Sequence, residues 1–157
     1  MDYILFWKPD QQNGVFSQWY SSTFKDDHGM LYNCAEQYMM AQKALLFNDI
    51  NVYNKIMNIA DARIIKKLGK SVKNFENNIW LKNRYQIIVN GNMLKFSQNK
   101  ELKKILLLTG DKTIAEASPF DDIYGIGMFA SKVTIDQWKG QNLLGKALMD
   151  VRNKLKK

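Results

Sequence analysis

The chain of 157 residues has very few of the residues on which several kinds of site depend. Cys34 is its one cysteine and His28 its one histidine. An intrachain disulfide is therefore impossible, and nothing in the cysteine content indicates an oxidising compartment. A zinc site made of histidine and cysteine is also disfavoured, because such sites use three or four of these ligands. We expect no metal.

Long apolar runs are missing as well. No stretch approaches the roughly 20 apolar residues of a transmembrane helix, and residues 1–7 lack the basic start and the cleavage site of a signal peptide. We therefore expect a cytoplasmic protein with no membrane partner. Only two prolines occur, and no repeat or flexible linker interrupts the chain. With 46% hydrophobic residues, it is expected to form a single domain over residues 1–157.

Familiar catalytic motifs are absent too. The sequence has no Gly-x-Ser-x-Gly elbow, no Walker-type phosphate loop and no Gly-x-Gly-x-x-Gly motif. His28 falls in a predicted polar turn, so catalysis by serine, histidine and aspartate has little support. Cys34 lies at a predicted helix N-terminus, which can lower a thiol pKa, but no histidine stands beside it in sequence. We expect Cys34 to be a packing residue.

What the chain has in excess is positive charge. Its formal net charge is +8 and its isoelectric point is near 9.5, which favours anionic partners. Lysine clusters at residues 66–67, 103–104 and 154–157 are either a solvated surface or sites of attraction for phosphates. The phosphates would belong to a nucleotide-like molecule or to nucleic acid.

Hydrophobic periodicity predicts an α+β fold in which helices dominate. Short strands at the start are expected to form a small sheet, with a polar turn at residues 26–29. Asp49 and Asp61 are predicted N-caps. The predicted strands are 3–7, 19–25, 30–32 and 113–117. The predicted helices are 36–47, 77–96, 100–108 and 142–155. Two further helices are predicted to follow Asp49 and Asp61, and the second of these is expected to end at Gly69.

The helix that begins near Glu36 carries an acidic and a basic residue on one face. Asn33 and Glu36 resemble a capping box, in which Glu36 bonds the backbone of Asn33. Glu36, Met40 and Lys43 also share a face, because they lie at offsets 0, 4 and 7. The capping role is the simpler interpretation. The functional alternative is a carboxylate that orients a water or stabilises a positively charged sugar, with Lys43 holding a phosphate.

The predicted helix 77–96 has an unusual stripe. Trp80, Arg84, Ile87, Gly91 and Lys95 lie at offsets 0, 4, 7, 11 and 15, within one narrow face. A core face does not normally include two cations, whereas a phosphate-binding wall uses cations and a base-stacking wall uses tryptophan. Cations snorkelling around a core tryptophan would give the same pattern, and the sequence does not decide between the two.

Residues 118–127 place two carboxylates and an aromatic directly before two glycines. Asp121 or Asp122 would lie in a rigid bend and point toward a ligand, which the lack of side chains at Gly125 and Gly127 would allow to come close. The alternative is a surface turn in which both aspartates bond only local backbone. Asn142, at the start of the last helix, is predicted to be an N-cap, and the N–H groups behind it would be able to receive an anion.

Taken together, these segments resemble the NADAR superfamily, also called YbiA-like proteins, over nearly the whole chain. Tyr124 departs from the family, which usually carries tryptophan before Gly-x-Gly. The segments that carry the resemblance are 33–44 (NCAEQYMMAQKA), Trp80 in its helix, 95–99, 106–110, 114–119, 121–127, 138–145 and 148–152.

The resemblance implies an N-glycosidase without a cofactor. Its expected activity is removal of ADP-ribose from modified guanine bases or nucleosides, free or in nucleic acid. The alternatives are hydrolysis of phosphoribosylamino-pyrimidine intermediates of riboflavin synthesis, or a module that binds ADP-ribose or NAD without catalysis. A basic nucleic-acid-binding module is a further alternative, and no obligate protein partner is implied. The catalytic pair implied by the resemblance is Glu36 and Asp121, and the predicted substrate contacts are Lys43, Trp80, Arg84, Lys95, Tyr124 and Asn142.

Overall fold

The computed structural model describes residues 3–132 and 137–157. It confirms the helix-rich α+β class: the described residues form six α-helices and two small two-stranded sheets. The chain divides into two compact units, Ser21–Asn99 and the combination of Met1–Tyr20 with Lys100–Lys157. The prediction of a single domain stays a prediction, and each unit is described by itself.

In the unit Ser21–Asn99, β2 (Phe24–Lys25) and β3 (Leu31–Tyr32) pair antiparallel around the predicted polar turn. Asp26 holds that turn, because its Oδ1 accepts hydrogen bonds from the backbone N–H groups of His28 and Met30 at 2.9 and 3.0 Å. The strand predicted over residues 19–25 is only two residues long. Ser17 draws the preceding segment into a turn by accepting the N–H of Trp19 at its Oγ.

Four helices complete this unit, and the two predicted aspartate caps are confirmed. Asp49 Oδ1 accepts the N–H of Val52 at 3.1 Å, and Asp61 Oδ1 accepts the N–H of Arg63 at 2.9 Å. Each carboxylate satisfies an N–H that would otherwise lack a partner at the helix start. The helices are α1 (Ala35–Leu46), α2 (Ile50–Met57), α3 (Ala62–Lys70) and α4 (Asn77–Gln98).

In the other unit, β1 (Tyr3–Phe6) pairs in parallel with β4 (Thr113–Glu116), with Tyr3 opposite Thr113 and Phe6 opposite Glu116. The expectation that the early strands form one sheet is therefore wrong: β1 takes its partner from more than 100 residues away along the chain. Short 3₁₀ turns occupy Gly14–Phe16 and Ala130–Lys132.

Two helices, α5 (Lys100–Leu108) and α6 (Leu143–Leu155), belong to the same unit. The predicted core face of α6 is confirmed, because Leu144, Ala147, Leu148 and Val151 are at most 1% exposed. In residues 3–132 and 137–157, we find no helix with the length and apolar character needed to cross a membrane.

Candidate active site

The eight predicted site residues fall in both units. Those in the unit Ser21–Asn99 lie on α1 and α4, and those in the other unit lie in the bend after β4 and at the start of α6. The first group is Glu36, Lys43, Trp80, Arg84 and Lys95, and the second is Asp121, Tyr124 and Asn142.

Glu36 lies in the first turn of α1, where the helix dipole favours a negative charge, and its side chain is only 8% exposed. The predicted capping box is wrong. Cys34 is the N-cap, and the N–H of Asn33 donates to Oε1 of Gln37 at 2.7 Å. Gln37 is itself fixed, since its Nε2 donates to the carbonyl oxygen of Ile56 at 3.0 Å. Gln37 thus forms the backbone hydrogen bond that was predicted for Glu36.

Lys43 lies two turns beyond Glu36 and faces two aromatic rings. Its Nζ is 5.3 Å from the centroid of the Trp80 ring and 4.8 Å from that of Phe75. Burial lowers the pKa of Lys43, and the negative charge of Glu36 partly opposes that shift. The negative charge of Glu36 therefore acts on Lys43, and Lys43 lies over the ring of Trp80. Helix α1 and the first turn of α4 bring these three residues together.

Lys95 has no exposed surface, and burial lowers its pKa to about 7. The neighbouring Cys34 is 3% exposed, and burial raises the pKa of its thiol, which agrees with the predicted packing role. The charges of both Glu36 and Lys95 act on this thiol, with opposite effects on its pKa. The N-terminus of α1 thus lies near the C-terminal part of α4, and a carboxylate and a lysine flank Cys34.

The predicted stripe on α4 faces α1 in part. Trp80, Gly91 and Lys95 are buried, whereas Arg84 is half-buried. A Cβ added at Gly91 would lie 2.6 Å from Cδ1 of Tyr38, so the absence of a side chain is what lets α1 approach α4 there. Among the described residues, the Arg84 side chain makes no hydrogen bond or ion pair, so it remains available to a ligand.

The bend around Asp121 is held by the aspartate itself. Its Oδ1 accepts the backbone N–H groups of Ile123 at 3.0 Å, Tyr124 at 2.8 Å and Gly125 at 3.4 Å. Its carbonyl oxygen accepts the N–H of Gly127 at 3.0 Å. Oδ1 of Asp121 therefore bonds only local backbone, as the alternative of a surface turn predicted. Its Oδ2 has no hydrogen-bond partner among the described residues.

Asn142 occupies the predicted N-cap position of α6 but does not cap the helix with its side chain. Its Nδ2 donates to the carbonyl oxygen of Ile114 at 3.0 Å, and its Oδ1 accepts the N–H of Glu116 at 3.2 Å. The amide therefore joins α6 to β4. The N–H groups of Leu143 and Leu144 donate to carbonyl oxygens of the bend, so these two groups are not available to an anion as predicted.

Phe75 is a candidate binding residue that the sequence did not reveal. It is 43% exposed, lies over Lys43 and packs edge-on against Phe47 with ring centroids 5.3 Å apart. The sequence signal that could have revealed it is its position just before α4, because a phenylalanine there cannot belong to the apolar face of that helix. Within residues 3–132 and 137–157, no three His, Cys, Asp or Glu side chains gather closely enough to hold a metal ion.

The family model of the NADAR domain matches residues 5–156. The chain belongs to the NADAR domain family. This NADAR chain is 49% identical to an N-glycosidase of Acanthamoeba polyphaga mimivirus over 145 residues, which cover 88% of the chain and 85% of the relative. It is also 29% identical to a riboflavin biosynthesis protein of Vibrio vulnificus, over 97% of the chain but only 38% of that longer protein.

A solved structure supports the NADAR fold. The NMR structure of Escherichia coli YbiA matches this chain with a TM-score of 0.81 and 25% identity, covering 98% of the chain and 84% of YbiA. The α+β architecture expected from the family resemblance is thereby confirmed.

Proposed function

We propose that the chain removes ADP-ribose from modified guanine bases or nucleosides by hydrolysing the N-glycosidic bond. The enzyme class, a hydrolase of N-glycosyl bonds, follows from membership of the NADAR family and from 49% identity to the mimivirus N-glycosidase. The observation that carries the proposal is Glu36, a buried carboxylate that does not cap Asn33 and that shares its environment with Lys43 and Trp80.

Cleavage of an N-glycosidic bond passes through an oxocarbenium-like state, in which positive charge develops on the ribose. A carboxylate shielded from water stabilises that charge more strongly than an exposed one, because the local dielectric constant is low. Glu36 is 8% exposed and meets this condition. In the proposed step, the C–N bond breaks and its electron pair stays with the nitrogen of the base, while a water adds to the anomeric carbon and gives a proton to Glu36. Glu36 then returns that proton to the leaving base and is again a carboxylate.

Asp121 is proposed as the second carboxylate, acting through Oδ2, since Oδ1 is already committed to the bend. Rigidity of the bend would then serve the chemistry, because a preorganised charge does not have to reorient during the reaction. Tyr124, whose N–H is one of those that Asp121 holds, is proposed as an aromatic contact with the substrate.

Binding is assigned to the cations and rings around Glu36. Lys43, placed over Phe75 and Trp80, is suited to hold a phosphate beside a stacked base. Half-buried Arg84 is proposed as a second phosphate contact. Lys95 would act from within the protein, since it has no exposed surface, and Asn142 would position the bend rather than touch the ligand.

A specific observation favours one second candidate. The relative from Vibrio vulnificus is named a riboflavin biosynthesis protein, so a phosphoribosylamino-pyrimidine is an alternative substrate. A module that binds ADP-ribose without catalysis is the third possibility, but it would gain little from a buried carboxylate beside an anionic ligand.

A product assay separates these candidates. The purified chain is incubated with ADP-ribosylated guanosine, NAD or a phosphoribosylamino-pyrimidine, and the released base is measured by chromatography. Release of guanosine together with ADP-ribose supports the proposal, and release from the pyrimidine alone favours the alternative. Saturable binding without any release would leave the non-catalytic module. Glu101→Gln is the matched control for Glu36→Gln, because Glu101 also lies in the first turn of a helix but is exposed.

A further inference from the structure

An exposed aromatic cluster lies in the unit that contains β1 and β4. Trp7 is half-buried, and its ring centroid is 5.8 Å from that of Phe120 and 5.9 Å from that of Phe129. Phe120 is 84% exposed and Phe129 is 44% exposed. Lys8 places its Nζ 4.8 Å from the Trp7 ring centroid. We call Trp7, Phe120 and Phe129, with Lys8, the aromatic platform.

The platform is held in place by its backbone. The N–H of Phe120 donates to Oγ of Ser118 at 3.3 Å, and the next residue, Asp121, fixes the bend with its Oδ1. The carbonyl oxygen of Phe129 accepts the N–H of Lys132 at 3.0 Å. Phe120 and Phe129 thus present their rings to solvent from an ordered backbone, grouped around Trp7, and grouped exposed apolar rings are typical of an interaction site.

We propose that the aromatic platform binds single-stranded nucleic acid by stacking unpaired bases on Phe120 and Phe129. Exposed rings offer faces to bases of any sequence, and neighbouring cations attract the phosphates. Lys8 lies at the platform, Lys132 follows Phe129 in the 3₁₀ turn, and the whole chain carries a net charge of +8. The carboxylates of Asp121 and Asp122 directly follow Phe120 and oppose this attraction in part.

Charge favours this ligand over the other common ligand of exposed aromatic grooves, a proline-rich peptide. Such peptides dock through their rings and backbone and need no cation. Bases in a duplex are already stacked on one another, so the platform is expected to distinguish single strands from duplexes. This binding goes beyond the proposed hydrolysis, which a free nucleoside would satisfy.

The test is fluorescence anisotropy with a fluorescein-labelled oligothymidylate of about 12 nucleotides, which carries no ADP-ribose and is not hydrolysed. We expect Phe120→Ala and Phe129→Ala each to weaken binding at least about fivefold, the lower end of what one stacked base contributes. Lys8→Ser should weaken binding and reduce its dependence on salt. Ile50→Ala is the matched control, because Ile50 is a large apolar residue that is 52% exposed on α2 and belongs to none of the three lysine clusters. Thermal melts check that each variant is folded.

Three results would overturn the proposal. These are unchanged affinity in both phenylalanine variants, an equal loss in Ile50→Ala, and a duplex of the same length bound as tightly as the single strand. Tighter binding of a labelled polyproline peptide would assign the platform to that ligand instead. Because no hydrolysis is measured, failure here is distinct from failure of the proposed N-glycosidase activity, and Glu36→Gln should bind the oligonucleotide like the unmodified chain.

Discussion

Substitution of Asp121 separates its two proposed roles, because alanine removes both and asparagine removes only the charge. In the native chain, Oδ1 accepts three backbone N–H groups, two of them at 2.8 and 3.0 Å and the third at a longer 3.4 Å. Asp121→Ala leaves all three donors without this acceptor. Asp121→Asn keeps an oxygen in the same place but without its negative charge.

The magnitudes follow from the shared acceptor. Loss of a capping aspartate ordinarily costs 0.5 to 2 kcal/mol, and hydrogen bonds to a charged group contribute about 1.5 to 3 kcal/mol each. The three bonds share one oxygen and are therefore not additive, so we expect Asp121→Ala to destabilise by about 2 kcal/mol. Charge roughly doubles the strength of such bonds, so Asp121→Asn should cost about 1 kcal/mol.

The assay is thermal unfolding followed by circular dichroism, together with turnover of ADP-ribosylated guanosine. For a chain of this size, 1 kcal/mol shifts Tm by about 2 to 4 °C, so Asp121→Ala should melt about 4 to 8 °C below the native protein. Asp121→Asn should stay folded yet lose at least about a hundredfold in turnover. Near-native turnover in Asp121→Asn would confine the residue to holding the bend, and equal melting of both variants would refute the reasoning about the shared acceptor.

Three further predictions concern stability. The pKa of Lys95 in the folded state is about 7, below its value in the unfolded chain. Between about pH 7 and pH 10 the unfolded chain therefore binds more protons, so the free energy of unfolding should rise with pH in that range. Urea unfolding of Lys95→Met should lack that rise, and an unchanged slope would contradict the buried position. Gly91→Ala should lower Tm, because the new Cβ would lie 2.6 Å from the buried Tyr38 ring and cause overpacking of about 1 to 3 kcal/mol. That cost exceeds the roughly 1 kcal/mol gained in helix propensity, and a raised Tm would show that the ring moves aside. Asn142→Ala should lower the free energy of unfolding by about 3 kcal/mol, because it removes both hydrogen bonds to β4 and leaves alanine at a φ of 54°. A loss under about 1 kcal/mol in chemical unfolding would contradict this role of the amide.

The helices could be predicted almost completely because their signals are local. Asp49 and Asp61 bond N–H groups within three residues, and the apolar spacing of α6 identifies its buried face. The pairing of β1 with β4 could not be predicted, since nothing in four residues of strand identifies a partner more than 100 residues away.

Within the candidate site, sequence spacing identified which residues share a helical face. It did not reveal which of several possible partners each backbone N–H group bonds. Sequence spacing makes Glu36 the expected partner of the N–H of Asn33, but Gln37 accepts it and also donates to the carbonyl oxygen of Ile56 beside α2. The start of α6 failed as an anion site for a similar reason. Carbonyl oxygens of the bend reach Leu143 and Leu144 first, and no local pattern indicates that contact.

Turnover by Glu36→Gln is the most direct test of the proposed chemistry. Glutamine has nearly the same shape, so the variant should fold like the native chain and still bind ADP-ribosylated guanosine, with Glu101→Gln as the control. The proposed role predicts that the rate of base release falls at least about a hundredfold, equivalent to about 2.7 kcal/mol of lost transition-state stabilisation. A folded Glu36→Gln that releases guanosine at nearly the native rate would remove this carboxylate from the reaction and contradict the proposed mechanism.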